Sequence, residues 1–190
     1  MPREVDSAQR LADIAAATVR VARASGPHAV TIRAVARELG GSTTLVTNYL
    51  PSRAALILNA LDRGSDRWQG ELDRMLAAAG PAEGFAAVVE WAMHSGTDDP
   101  VLRALILEII QNADREPDLR AALQSETERF EALLEEHAAA AGYADPAHVA
   151  GLAYLLVRGS YLATAEDPQR WSDAHLREVI RATLDTQPRR

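Results

Sequence analysis

Residues 31–53 read TIRAVARELGGSTTLVTNYLPSR, and their punctuation predicts two short helices joined by a tight turn. Thr31 can cap the first helix, about Ile32 to Leu39, because a hydroxyl accepts from the orphan N–H groups of a first turn. Gly40 and Gly41 stop it, since glycine tolerates the left-handed conformation of a sharp helix exit. Ser42 can cap a second helix over 43–50, Pro51 ends that helix, and Ser52 can cap the next. Ala36, Gly40 and Val46 supply the small residue, the permissive turn and the apolar anchor that a helix-turn-helix needs. Val35, Leu39 and Leu50 add apolar contacts.

Thr43, Thr44, Thr47, Asn48 and Tyr49 are left facing outward, with Arg53 just beyond. This face is rich in hydrogen-bonding groups and free of carboxylates, which suits the major groove of double-stranded DNA. Thr31, Tyr49 and Arg53 are the candidates for phosphate contact, because hydroxyls and helix starts position a protein on the backbone. Arg33, Thr43, Thr44, Thr47 and Asn48 are the candidates for base contact. Arginine pairs with guanine, asparagine with adenine, and threonine methyls pack on thymine. Spacing alone also admits a polar surface turn between two core helices, so the rest of the chain has to decide.

The net charge of −7 argues against a nucleic-acid partner only until its distribution is read. Residues 1–53 hold seven arginines against four carboxylates, and the remainder holds thirteen against twenty-three. A basic head on an acidic body fits a DNA-binding domain at 1–53 and a body with another task at 54–190. Lysine and cysteine are both absent. Without cysteine, neither disulfides nor thiolate metal sites hold the chain together. The N-terminus does not resemble a signal peptide, and no apolar run is long enough to span a bilayer. A soluble cytoplasmic protein with no membrane partner is the expectation.

Around the central stretch, the apolar residues recur at helical spacing. Helices are predicted over 7–25, from 52 to about 79, over 82–95, from Pro100, over 117–141, 146–165 and 172–185. The boundaries are marked by Gly26-Pro27, Gly80-Pro81, Gly96 to Asp99 and Gly142. Strand alternation is absent. The expected fold is all-α with about nine helices: a three-helix head joined to a larger helical body. The helix at 146–165 is apolar over most of its circumference, more than one body can bury, which predicts a homodimer through a four-helix bundle.

The segment VTIRAVARELGGSTTLVTNYLPSRAALI resembles the DNA-binding signature of the TetR family of bacterial transcription regulators in order and spacing. DPVLRALILEIIQNADREPDLRAAL, FEALLEEHAAAAGYADP and LLVRGSYLATAEDP are similar to that family's more variable C-terminal domain, so the resemblance covers nearly the whole chain. It implies a homodimer on a palindromic operator, with the body sensing a small-molecule effector and repression as the commoner outcome. The sequence departs from the family pattern at several positions. Thr47 stands where tyrosine is usual, Tyr49 where histidine is common, Leu50 for phenylalanine, Gly41 for valine and Arg53 for lysine. The changes at Thr47 and Tyr49 bear on which DNA sequence is read.

For the effector, Trp68, Leu72 and Met75 share one helical face, Trp91 and His94 are three apart, and Glu108 and Asn112 are four apart. With Tyr154 they offer an apolar lining with a few polar groups, as small-molecule pockets do, and an ionised Glu108 would favour a cation. Core packing is the alternative reading, above all for Trp68, Leu72 and Met75. The five histidines show no metal-ligand spacing. GxSxG, Walker and GxGxxG motifs and a catalytic cysteine are absent. No cofactor, no metal and no catalytic residue are therefore expected. The rival readings are a helix-turn-helix protein acting through a protein partner and an all-α enzyme.

Overall fold

The computed structural model describes the backbone of residues 3–98 and 100–190, and the side-chain surroundings of these except at 3–6, 63–68, 94–98, 100 and 102. The fold is all-α. Its helices are α1 (Arg3–Ser25), α2 (Ile32–Glu38), α3 (Thr43–Thr47), α4 (Arg53–Ala78), α5 (Gly84–Asp98), α6 (Pro100–Asn112), α7 (Pro117–Ala140), α8 (Pro146–Glu166) and α9 (Asp173–Asp185). A 3-10 turn at Pro27–Ala29 joins α1 to α2 and was not expected from helical periodicity. It follows Gly26, whose φ of 85° lies in the left-handed region. There a side chain would be strained and its Cβ would also meet the His28 ring at 2.8 Å. α3 is shorter than the sequence suggests: it ends at Thr47, with Asn48 as its C-cap.

The described chain forms two compact units. One joins Met1–Arg67 to Pro100–Gln124, and the other joins Trp68–Asp99 to Ser125–Arg190. In the first, α2 packs on α3 and on α1, while α6 packs on α1 and on the 3-10 turn. Ile14, Val30, Val35, Val46, Leu56, Ile57 and Leu105 are fully buried between them. Thr18 lies in the same core and stays satisfied because its hydroxyl donates to the Ile14 carbonyl at 2.9 Å. Asn59 on α4 donates to the Leu11 carbonyl on α1 at 3.0 Å, tying the start of α4 to the head.

In the second unit α8 packs on α5 and α9. Leu72, Phe85, Val88, Leu134, Val149, Ala153, Val157 and Ile180 belong to one core. Phe85 meets Tyr143 edge to face at 5.2 Å. Asp145 and Ser172 cap α8 and α9, accepting from the N–H groups of His148 and His175. α8 is apolar on two faces. Val149, Ala153 and Val157 are buried, whereas Leu155 and Leu162 are 67% and 57% exposed, and exposed Gly159 lies between them.

Leu134 is fully buried in the second core, so Leu134→Ala is expected to cost about 2–5 kcal/mol in urea unfolding. Gly40 has φ 68° and open space around it. Gly40→Ala therefore carries a conformational cost alone, about 1–2 kcal/mol by the same measurement.

Candidate nucleic-acid interface and aromatic cluster

Thr31 has the extended backbone of an N-cap, and its hydroxyl oxygen accepts the Ala34 N–H at 3.1 Å. The hydroxyl proton remains to be donated outward. At the far end of α2, the Gly41 N–H donates to the Ala36 carbonyl at 2.9 Å, closing the turn. Ser42 takes the N-cap position of α3 with an extended backbone, but its side chain makes no capping hydrogen bond. α3 is held instead through its packing on α2, with Val46 its one buried residue.

Thr43, Thr44, Thr47 and Asn48 are therefore exposed together, and Tyr49, just past the helix, is half-buried. Thr31, Arg33, Thr43 and Arg53 line one shallow depression where the starts of α2, α3 and α4 approach. The residues expected to meet DNA thus lie along α3 and around this depression beside it.

Arg53 is bound inward as well. Its Nε donates to the Val30 carbonyl at 3.1 Å and Nη1 to the Glu116 carboxylate at 2.9 Å. Nη2 reaches the Pro27 carbonyl at 3.4 Å and pairs with Glu108. The side chains of Arg53, Glu108 and Glu116 are 23%, 15% and 28% exposed, so solvent screens these pairs only in part. Arg53 therefore fastens the loop before α2 to α6 and to the segment after it. Asn112 completes the group, donating to the Glu108 carboxylate at 3.1 Å and to its carbonyl at 2.9 Å.

The residues expected to hold an effector are divided by this arrangement. Glu108 and Asn112 belong to the first unit and to the Arg53 network, while Trp91 and Tyr154 belong to the second unit. The side chains of Trp68 and His94 lie outside the described residues. Leu72 is buried in the second core. Met75, half-buried, lines a cavity of about 420 Å³ together with Phe85, Tyr143 and Ile180.

Trp91 and Tyr154 are brought together through Phe130. The Trp91 and Phe130 rings meet edge to face at 6.3 Å, and Phe130 and Tyr154 lie 6.1 Å apart. The Tyr154 hydroxyl is 3.1 Å from that of Thr127, and the Tyr161 hydroxyl donates to the Ala92 carbonyl at 3.1 Å. The Arg158 guanidinium lies 5.3 Å from the Tyr154 ring centre and 5.8 Å from that of Tyr161. Thr127, Phe130, Arg158 and Tyr161 were not singled out from the sequence. The spacing of 154, 158 and 161 on one helix was the available signal.

Residues 77–186, more than half of the chain, match the family described as tetracyclin repressor-like, C-terminal domain. No curated protein matches the chain in sequence. Among solved structures, a TetR transcription regulator from Haloarcula marismortui superposes with a TM-score of 0.81 at 18% identity, over 95% of this chain and 98% of that one. A protein from Saccharomonospora viridis in complex with choline gives 0.77 at 19% identity, over 94% and 97%. The multidrug binding protein EbrR, complexed with imidazole, gives 0.71 at 22% identity, over 99% and 94%.

Removing the guanidinium would leave Glu108 and Glu116 without their shared cation. Arg53→Met is expected to destabilise the first unit by about 1.5–3 kcal/mol, the range for hydrogen bonds to a charged group. Glu108→Gln, which keeps one acceptor, should cost less. Urea unfolding of both variants checks the order.

Proposed function

The chain belongs to the TetR family of transcriptional regulators, and on that premise we propose that it binds a palindromic operator as a homodimer and is released by a small molecule. The observation that carries this reading is the outward face of α3, where Thr43, Thr44, Thr47 and Asn48 stand exposed without a carboxylate. The groove would be read by these side chains and Arg33. Thr31, Tyr49 and the depression around Arg53 would hold phosphate, with Arg53 adding charge from its fixed position. The DNA-binding part would be residues 1–53, and the effector-binding and dimerising part residues 54–190. Release would follow from a small rotation of each head, since two recognition helices must keep a spacing of about 34–36 Å. α4, which contributes residues to both units, would carry that rotation.

Small organic molecules bound within this fold, choline in one neighbour and imidazole in another, support an effector for this chain. Support for the dimer comes from α8, whose exposed Leu155 and Leu162 flank Gly159, a position open enough for a second helix to approach. No helix among the described residues is long and apolar enough to cross a membrane.

A fluorescence DNA-binding assay on the protein's own upstream region, with and without metabolites, tests the whole reading. Asn48→Ala is expected to lower affinity by about 1–3 kcal/mol at sequences carrying its adenine and to leave others unchanged. Arg33→Ala should do the same at its guanine. Equal losses on all sequences would remove both residues from base reading.

The dimer is tested by sedimentation. Leu155→Glu should convert it to monomers and abolish operator binding. A wild-type monomer at micromolar concentration would remove the dimer altogether.

A further inference from the structure

The cavity of about 420 Å³ lies wholly within the second unit. Its inner wall is formed by Phe85, Val89 and Met93 of α5 with Ile180 and Leu184 of α9, all of them buried. Ala79, Ala82, Ala86 and Ala87 line it too, and side chains this small leave space that larger ones would fill. Imperfect packing leaves native cores with few voids larger than a water molecule, and this space is far larger. Its walls are also fastened. Arg177 of α9 pairs with Glu90 of α5. Beyond α9, the Ala144 N–H donates to the Pro188 carbonyl at 2.9 Å and the Arg190 N–H to the Gly142 carbonyl at 2.8 Å. Between these bonds the Arg189 guanidinium lies 4.6 Å from the Tyr143 ring centre and donates to the Tyr143 hydroxyl at 3.2 Å. It also donates to the Ala141 carbonyl at 3.3 Å. Paired groups therefore hold the cavity in shape.

We infer that this cavity is the effector site, and that it takes an uncharged, mainly apolar molecule. The inference rests on the effector-binding reading above and gives it a place and a chemistry. Ala86, Arg181 and Asp185 are exposed at the cavity, so a molecule from solvent can enter there. Inside, it meets buried apolar surface, and Met75 and Met93 can adapt to its outline. The charges around the cavity balance: Arg177, Arg181 and Arg189 stand against Glu83, Glu90 and Asp185. An ion would exchange its hydration for an apolar wall with no net counter-charge to receive it, whereas an uncharged molecule loses little. A hydroxyl or carbonyl at its outer end finds guanidinium donors and carboxylate acceptors at the rim. The proposed dimer leaves this opening clear. Among the described residues none from α8 lines the cavity. Val179, exposed on α9, is two positions from both Arg177 and Arg181 and so points to another side of the helix.

The test adds N-phenyl-1-naphthylamine, an uncharged dye that brightens in apolar surroundings, to the full-length protein without DNA. Saturable binding is expected. The dye is then displaced with 1-octanol, octanoate and octylammonium, which share one chain and differ in charge. Octanol is expected to bind about tenfold more tightly than either ion, or better. Ala86→Trp, which sets a large side chain in the opening from an exposed position, should abolish dye binding. Ala82→Trp, from the loop before α5, should do the same and decides the matter if the first variant does not fold. Ala132→Trp, exposed on α7 and outside the cavity lining, should change nothing. Circular dichroism and sedimentation confirm that each variant is folded and keeps its oligomeric state. No saturable dye binding, binding unchanged in the folded cavity variants, or either ion displacing the dye as well as octanol each overturn the inference. So does a dimer that dissociates in Ala86→Trp, which would make the opening an interface between copies. The two readings fail separately. Release from the operator by metabolites, in a protein that takes up no dye, removes the cavity and spares the repressor. Octanol that fills the cavity without changing operator affinity removes the effector role of the site and spares operator binding.

Discussion

A single guanidinium, that of Arg53, holds together pieces of the first unit that the chain delivers separately. Through it the backbone carbonyls of Pro27 and Val30 and the carboxylates of Glu108 and Glu116 share one planar cation. A lysine could supply the charge but not the fork, since its donors radiate from one point. The depression lined by Thr31, Arg33 and Thr43 takes its shape from the same residue. A group that fixes the geometry of this unit and also lines the depression beside α3 ties that depression to α6. The coupling proposed for this regulator needs such a bridge, because two sites influence each other only through an element whose arrangement both can bias.

The helix-turn-helix was legible because its signals are local. A cap at Thr31, glycines at 40 and 41 and the spacing of Ala36 and Val46 all act within a few residues of one another. The helices of the body were legible for the same reason, through apolar periodicity and Gly-Pro breaks. What sequence could not supply was the partner of each charge. Glu108 and Asn112, four apart beside Ile109, have the pattern of a pocket's polar edge. Nothing in that spacing reveals that Arg53, 55 residues earlier, will claim the carboxylate. Arg158 carried a faint local signal, lying between two tyrosines on one helix, but whether a surface arginine has a counter-ion depends on neighbours that only the fold assembles. The 3-10 turn was missed because three residues are too few to show a period.

α3 has five residues, of which one, Val46, is committed to the core. The others meet solvent, and the helix lacks even a side-chain cap. Nearly every position that would touch a base can therefore change without a packing penalty, while the single inward residue keeps the helix in place. Divergence follows readily from such a division. On the proposed reading, a duplicated copy of this gene could acquire a new operator through substitutions at Thr43, Thr44, Thr47 and Asn48, with its stability inherited intact.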